Sequence, residues 1–375
     1  MEKILFVIPG LKTGGTNTSL EHLYDLIKDY YDITIVTLST IPYKRYSFEP
    51  VLKKAGWLIS LYYADYADSK GFVKIPLFLI KVLKRICLFL HIDFERFVKQ
   101  REAGKLEKKL TPNIIIAFEE GYATSFVSYF RSHHKLAWIH CDYAKTYGND
   151  DSKELIYAGY EKIVCVSQYT ANGFNKLFPA LSDKVTYFYN VMDEKSILQK
   201  SSENVKDIFV DSDVFTILSV GRLSPVKRFP LIPEIAYELS KKRKNFRWYI
   251  IGGGSEEEMQ KIKANIVKYD MGSYVYPLGY KYNPYPYFKV ANLYVCTSES
   301  EACPMVFKEA RVFSLPIVST DFPSAKEFIE DGENGFVSCI ESIAEKIAEA
   351  MNKCWNVNND EIDKTSSLFN KLINE

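Results

Sequence analysis

The chain has 375 residues, more than one hydrophobic core usually supports, so two domains are expected. Hydrophobic residues make up 47% and charged residues 25%, and the formal charge is +1. This is the composition of a soluble globular protein, without the global field that would gather nucleic acid. Residues 1–190 carry a net +5 and the remainder −4, a mild basic bias that suits an anionic surface or acceptor in the first half. The seven cysteines are scattered, with no CxxC pair and no Cys/His zinc spacing, which fits a reduced cytosolic protein. Met1 runs straight into an apolar, β-branched stretch that lacks a signal peptide's pattern. No run of about 18 apolar residues suggests a transmembrane helix.

In chain order, Lys3–Ile8 reads as a buried strand, followed by the loop Pro9–Gly15, a helix over Asn17–Lys28 and a strand over Ile33–Leu38. This β-loop-α-β unit opens a doubly wound parallel sheet. Residues 70–109 hold eleven Lys/Arg against four Asp/Glu, interleaved with large apolar side chains. They read as a basic amphipathic helical stretch. It adheres to an anionic membrane face, packs on its own domain with a solvated basic side, or does both. Further strands are expected at 114–118, 136–139, 163–166 and 185–189. Residues 196–213 lie in a polar, weakly patterned run that reads as a linker between domains. Alternation then restarts, with strands at 215–220, 246–251, 275–278, 293–296 and 317–319, helices at 231–241 and 255–269, and a charged helical tail. The boundaries expected are 1–195, a 196–213 linker and 214–354, with a terminal helix in 355–375 packing back on the first domain. Two α/β domains around a linker make a cleft, the usual place for a ligand.

Arg222 and Lys227 lie in Gly221-Arg222-Leu223-Ser224-Pro225-Val226-Lys227-Arg228, where a strand gives way to a helix. Cations beside a helix N-terminus suit an anion, because free amides and the helix dipole add to them. Taken alone, two solvated surface cations are the plainer reading. Glu301 and Glu309 frame Glu301-Ala302-Cys303-Pro304-Met305-Val306-Phe307-Lys308-Glu309. Pro304 marks a helix start, and helical spacing puts Glu309 on the inward side. There it needs a partner, either ligand hydroxyls or a structural donor. Gly14-Gly15 permits close approach to a phosphate but is not GxGxxG, and taken alone a tight βα turn is the plainer reading. Gly252-Gly253-Gly254 opens a helix that begins with three glutamates, which repel phosphate, so it reads as a turn and N-cap. His140 ends a strand of the first half. Asp211-Ser212-Asp213 has DxD spacing but precedes a strand and reads as solvated spacer.

In order and spacing, GRLSPVKRF at 221–229 and EACPMVFKEA at 301–310 resemble the retaining glycosyltransferases of family 4. VCVSQYTANGF at 164–174, YNVMD at 189–193, IIGGGSE at 250–256 and DGENGF at 331–336 add to the likeness. The run at 278–298 points to the branch of lipopolysaccharide-core and capsule transferases. The resemblance implies a GT-B fold, two Rossmann-like doubly wound domains facing across a cleft. It implies transfer of a hexose or N-acetylhexosamine from a nucleotide sugar, with UDP preferred, to a surface-polysaccharide or lipid-linked acceptor. By that resemblance Arg222 and Lys227 hold the diphosphate, and Glu309 the ribose. Glu301 meets the sugar, beside the backbone of Cys303, Pro304, Met305 and Val306. Tyr280 lies near the base, Gly14 and Gly15 close over the diphosphate, and His140 lies near the sugar. No metal or other cofactor is expected, and the protein is expected in the cytoplasm or peripherally on the inner membrane face. Ala302 and Pro304 replace usual glycines, and Arg228 replaces another. The rival readings are a non-catalytic subunit of the same fold and a nucleotide-dependent dehydrogenase. The second lacks GxGxxG and an acid closing its second strand.

Overall fold

The near-continuous apolar runs that the sequence presents are the centres of two parallel sheets, where strands are buried on both faces. The computed structural model describes residues 1–11, 15–39, 46–56, 59–60, 74–91, 93–148, 150–205, 207–208, 213–357 and 365–374. Gly14, the Asp211-Ser212 pair and the first residues of the 70–109 stretch lie outside the described residues.

The chain divides into two compact units, Met1–Val191 with Thr365–Glu375, and Met192–Lys364. In the first, seven strands run in the order β3-β2-β1-β4-β5-β6-β7: β1 Lys3–Ile8, β2 Asp32–Thr37, β3 Leu52–Lys54, β4 Ile114–Ala117, β5 Lys135–Ile139, β6 Lys162–Cys165 and β7 Val185–Tyr187. All neighbours pair in parallel. Its core joins Leu5, Val7, Ile115 and Ile139 to Phe126, Phe174 and Phe178 from the covering helices. Residues 74–110 form two helices, Lys74–Phe89 and Phe94–Leu110, the second capped by Asp93, which accepts the Arg96 amide at 2.9 Å. The terminal helix Thr365–Asn374 belongs to this unit. Phe369 and Ile373 are buried, Tyr31 donates to Asn370 at 2.9 Å, and Lys162 donates to the Leu372 carbonyl at 2.6 Å.

The second unit holds six parallel strands in the order β10-β9-β8-β11-β12-β13: β8 Phe215–Val220, β9 Phe246–Ile251, β10 Val275–Gly279, β11 Leu293–Cys296, β12 Ile317–Thr320 and β13 Gly335–Ser338. The indole of Trp248 donates to Ser219 Oγ at 3.0 Å, and Ser219 passes its own proton to the Val295 carbonyl at 2.6 Å. This chain ties β9, β8 and β11 together inside the apolar core, with each buried polar group satisfied.

Much of the stretch read as linker is ordered within the second unit. Asp193 caps a helix, Glu194–Lys200, by accepting the Ser196 amide at 3.0 Å, and Ile197 is fully buried. Asp207 then accepts from Tyr287 at 2.7 Å and pairs with Lys281. A helix anchored by a single apolar side chain has no periodic pattern to read.

Candidate functional site

Each sheet reverses its strand order once, between β1 and β4 and between β8 and β11. Ligand crevices in open α/β sheets form at the carboxyl ends of the strands flanking such a reversal. In the second unit those two ends lead into the loops that carry Arg222, Lys227 and Glu301.

The two loops are laced together by main chain and hydroxyls. The Glu299 amide donates to the Val226 carbonyl at 2.8 Å, and Thr297 Oγ1 donates to the Lys227 carbonyl at 2.8 Å. Arg228, in the left-handed region at φ 53°, reaches Glu299 at 3.4 Å. The Lys227 ammonium pairs with Glu301 Oε1, which also accepts from Ser298 Oγ at 2.7 Å. Ser324 Oγ fixes the Glu301 carbonyl at 2.7 Å. The Lys227 and Glu301 side chains are only 19% and 14% exposed, so water screens the pair less than it would a surface bridge.

Arg222 is exposed. Its loop is held by its backbone, with Gly221 N to the Ile251 carbonyl at 2.9 Å, Leu223 N to Gly253 at 2.8 Å and Ser255 N to Leu223 at 3.0 Å. A Cβ on Gly252 would overlap the Gly221 carbonyl oxygen, and Gly254 sits at φ 142°. The glycine run is therefore a bracket for the Arg222 loop. Ser255 beside it caps the next helix through the Glu258 amide at 3.3 Å. Gly279, at φ 70°, turns the chain out of β10, and the following Tyr280 is exposed with its Cβ against Gly253.

Pro304 caps the helix Met305–Val312. Cys303, Pro304 and Met305 are buried and Val306 is half-buried, with Glu309 buried in the second turn. The first amides of this helix have no intrahelical acceptor. Burial pushes the Tyr294 phenol up, and the charges of Glu301 and Glu309 add to the rise. Both carboxylates thus act on one buried ring, whose hydroxyl donates to the Val220 carbonyl at 3.0 Å. Burial also raises the Cys296 thiol, with Glu301 adding and Lys227 opposing. Among the described residues no group of His, Cys, Asp and Glu converges to hold a metal ion.

Gly15 and His140 belong to the first unit. Gly15 is exposed and opens the helix Gly15–Ile27. His140 follows β5, its amide donating to Glu120 Oε2 at 2.8 Å and its ring lying 4.7 Å from that of Phe118. The residue keeps a partly exposed edge, but Nε2 is enclosed without a hydrogen-bond partner among the described residues. Burial draws its pKa down to about 3, so the imidazole is neutral at physiological pH. An unfolded histidine titrates near 6.5 and takes up a proton that the folded one refuses. This contribution to stability is therefore complete above about pH 6.5 and declines as pH falls toward 3. At about pH 5 the loss is about 1–2 kcal/mol. His140→Gln should narrow the gap between the melting temperatures at about pH 7.5 and about pH 5 by about 2–5 °C. An unchanged gap would mean that the ring ionises freely.

Sequence reasoning passed over Thr297, Ser298, Ser324 and Glu120, the side chains that hold Lys227, Glu301 and the His140 backbone. Their only signal was polarity immediately after a strand.

Residues 200–363 match the family model described as glycosyl transferases group 1. An uncharacterized glycosyltransferase of Haemophilus influenzae is 31% identical over 161 residues, 43% of this chain and 44% of that protein. The matched stretch thus spans less than half the length of that relative. The amylovoran biosynthesis glycosyltransferase AmsD of Erwinia amylovora is 25% identical over 353 residues, 90% of this chain and 86% of that one. The crystal structure of Anabaena HepE in complex with UDP superposes with a TM-score of 0.68 at 15% identity, covering 94% of this chain and 89% of that one. The fold is accordingly that of the GT-B class, built from two doubly wound parallel sheets.

Proposed function

We propose that the chain is a retaining, metal-independent glycosyltransferase of family 4, in the lipopolysaccharide-core and capsule branch. It moves a hexose or N-acetylhexosamine from a UDP-sugar to a growing surface-polysaccharide or lipid-linked acceptor. One observation carries the reading. Lys227 and Glu301 stand side by side on the two loops that flank the strand reversal, with the exposed Arg222 on the same loop as Lys227, inside the stretch that matches group 1 glycosyl transferases.

Breaking an anomeric C–O bond to phosphate builds charge on the departing diphosphate. Prepositioned cations and helix amides lower that barrier, because they need not reorganise as the charge appears. Arg222 offers a planar fork to phosphate oxygens and Lys227 a point charge. The free amides at Met305 and Val306 add donors beside them. An arriving phosphate competes with Glu301 for the Lys227 ammonium, and a sugar hydroxyl can then donate to the carboxylate that is released. Glu309 takes the ribose hydroxyls, and the backbone at Tyr280 takes the base. Attack from the leaving-group face lets the departing phosphate accept the acceptor's proton, so no protein base is required.

The support from relatives is of one kind. HepE was crystallised with UDP, AmsD is named for amylovoran biosynthesis, and a Staphylococcus aureus relative is named a poly(ribitol-phosphate) α-N-acetylglucosaminyltransferase. A nucleotide screen by thermal shift tests the donor. UDP at about a hundredfold excess over its Kd should raise the second unit's melting temperature by about 5–10 °C, more than GDP does. Turnover should survive EDTA, and complete loss would revive a metal-dependent mechanism. Failure of any nucleotide sugar to release nucleotide with saccharide and lipid-linked acceptors present would favour the non-catalytic reading.

A further inference from the structure

The second unit also carries a recess at the opposite end of its sheet from Arg222, Lys227 and Glu301. Asp213 and Val214 lead into β8, residues 243–245 into β9, and Asn292 into β11. With Met351, just past the helix Ile343–Ala350, they line a cavity of about 380 Å³. β8 has six residues, so this amino end lies about 17 Å from the loop at its carboxyl end. The volume is that of a small-molecule site.

The walls are fixed by hydrogen bonds of the sheet and its lead-in segments. The Phe215 amide donates to the Asn245 carbonyl at 3.1 Å, and the Asn292 amide to the Thr216 carbonyl at 2.8 Å. Asn292 Oδ1 in turn accepts the Thr216 amide at 2.7 Å, and the Asn245 side-chain amide donates to the Asp213 carbonyl. Walls held in this way need little ordering when a ligand arrives.

The groups left over match one class of ligand. Lys241 pairs with Glu238 and Lys242 with Glu345, whereas Arg243 and Lys244 make no ion pair among the described residues. Arg243 is half-buried and Lys244 exposed. A guanidinium fork and an ammonium together suit a phosphate. The other polar atoms suit hydroxyls. Asn292, with its oxygen engaged, keeps Nδ2 as a donor, and Asn245, with its amide engaged, keeps Oδ1 as an acceptor. Asp213 adds a carboxylate to the lining, which repels a bare anion but accepts from a hydroxyl. Phe215 is packed against the core of the unit, so it offers no free ring face to a nucleobase.

We infer that this cavity binds a sugar phosphate, at a site separate from that of the donor. The phosphate meets Arg243 and Lys244, and the hydroxyls meet Asn245, Asn292 and Asp213. Inorganic phosphate would leave the second set unmatched, and a neutral sugar the first.

Calorimetric titration of the whole chain with glucose 6-phosphate tests this. It should bind one to one, at least about tenfold more tightly than inorganic phosphate, as one or two added hydrogen bonds allow. Glucose should bind more weakly still, and saturating UDP should not displace the sugar phosphate. Arg243→Gln with Lys244→Gln should weaken binding about a hundredfold, about tenfold for each charged donor lost. Asn292→Asp keeps an acceptor for the Thr216 amide but exchanges the donor for a carboxylate, and should weaken binding about tenfold. Both variants should melt with the wild type and keep its UDP-dependent thermal shift. That separates failure of this inference from failure of the transfer reading. Absence of glucose 6-phosphate binding, its displacement by UDP, or equal affinity for inorganic phosphate overturns the inference. So does undiminished affinity in Arg243→Gln with Lys244→Gln.

Discussion

Lys227→Ala should lower kcat/KM for sugar transfer by about 10²–10³, the scale seen when one prepositioned donor to a developing anion is removed. The fold should survive. The turn that carries Lys227 is fixed by its backbone, through the Lys227 amide to Ser224 at 3.0 Å and Thr297 Oγ1 to the Lys227 carbonyl at 2.8 Å. None of these bonds involves the lost side chain. Glu301 would lose its cation but keep the Ser298 hydroxyl and some access to water. The stability cost should therefore stay near about 1–2 kcal/mol, below that of orphaning a fully buried charge. Thr297→Val offers a contrast, since it keeps the ammonium but frees the turn, and should cost less. Initial rates of nucleotide release with acceptor present, together with thermal melts, check both variants. Near-normal turnover in Lys227→Ala would sink the assignment.

The sheets were legible because parallel strands buried on both faces must be apolar throughout, as in Ile4-Leu5-Phe6-Val7-Ile8 and Ile114–Ala117. Two strands were not. Leu52–Lys54 is a short edge strand with two exposed lysines, and Gly335–Ser338 emerges directly from a turn. The first has no buried side chain, and the second is four residues long with only Phe336 and Val337 as large apolar ones, too few to make a pattern. At the site, the pairing of Lys227 with Glu301 spans 74 residues and exists only because β8 and β11 are neighbours. Sequence order brought both residues into consideration through a family resemblance, while local chemistry favoured surface charges. Thr297, Ser298 and Ser324 escaped because a hydroxyl after a strand looks the same whether it braces a neighbouring loop or faces water. Glu309 was placed on the inward side by helical spacing alone, and it is buried.

Gly252→Ala should be among the most disruptive single methyls in the second unit. The new Cβ would overlap the Gly221 carbonyl oxygen and lie 3.1 Å from its carbon. Neither backbone can yield easily. Gly221 N is bonded to the Ile251 carbonyl at 2.9 Å, and Gly252 N to the Gly279 carbonyl at 2.9 Å, so relief means parting the ends of β8, β9 and β10. Overpacking that moves backbone costs about 3 kcal/mol. The displaced loop carries Arg222 and Lys227, and a shift of about 1 Å there can cost about a hundredfold in rate. Gly272→Ala is the matched control, because a Cβ there meets open space. The pair also separates two readings of the glycine run. If Gly252 only cradled phosphate, alanine would weaken nucleotide binding and leave unfolding unchanged. If it brackets the Arg222 loop, as its contact with Gly221 requires, the denaturation midpoint and nucleotide affinity fall together, and wild-type unfolding in Gly252→Ala would refute the bracket.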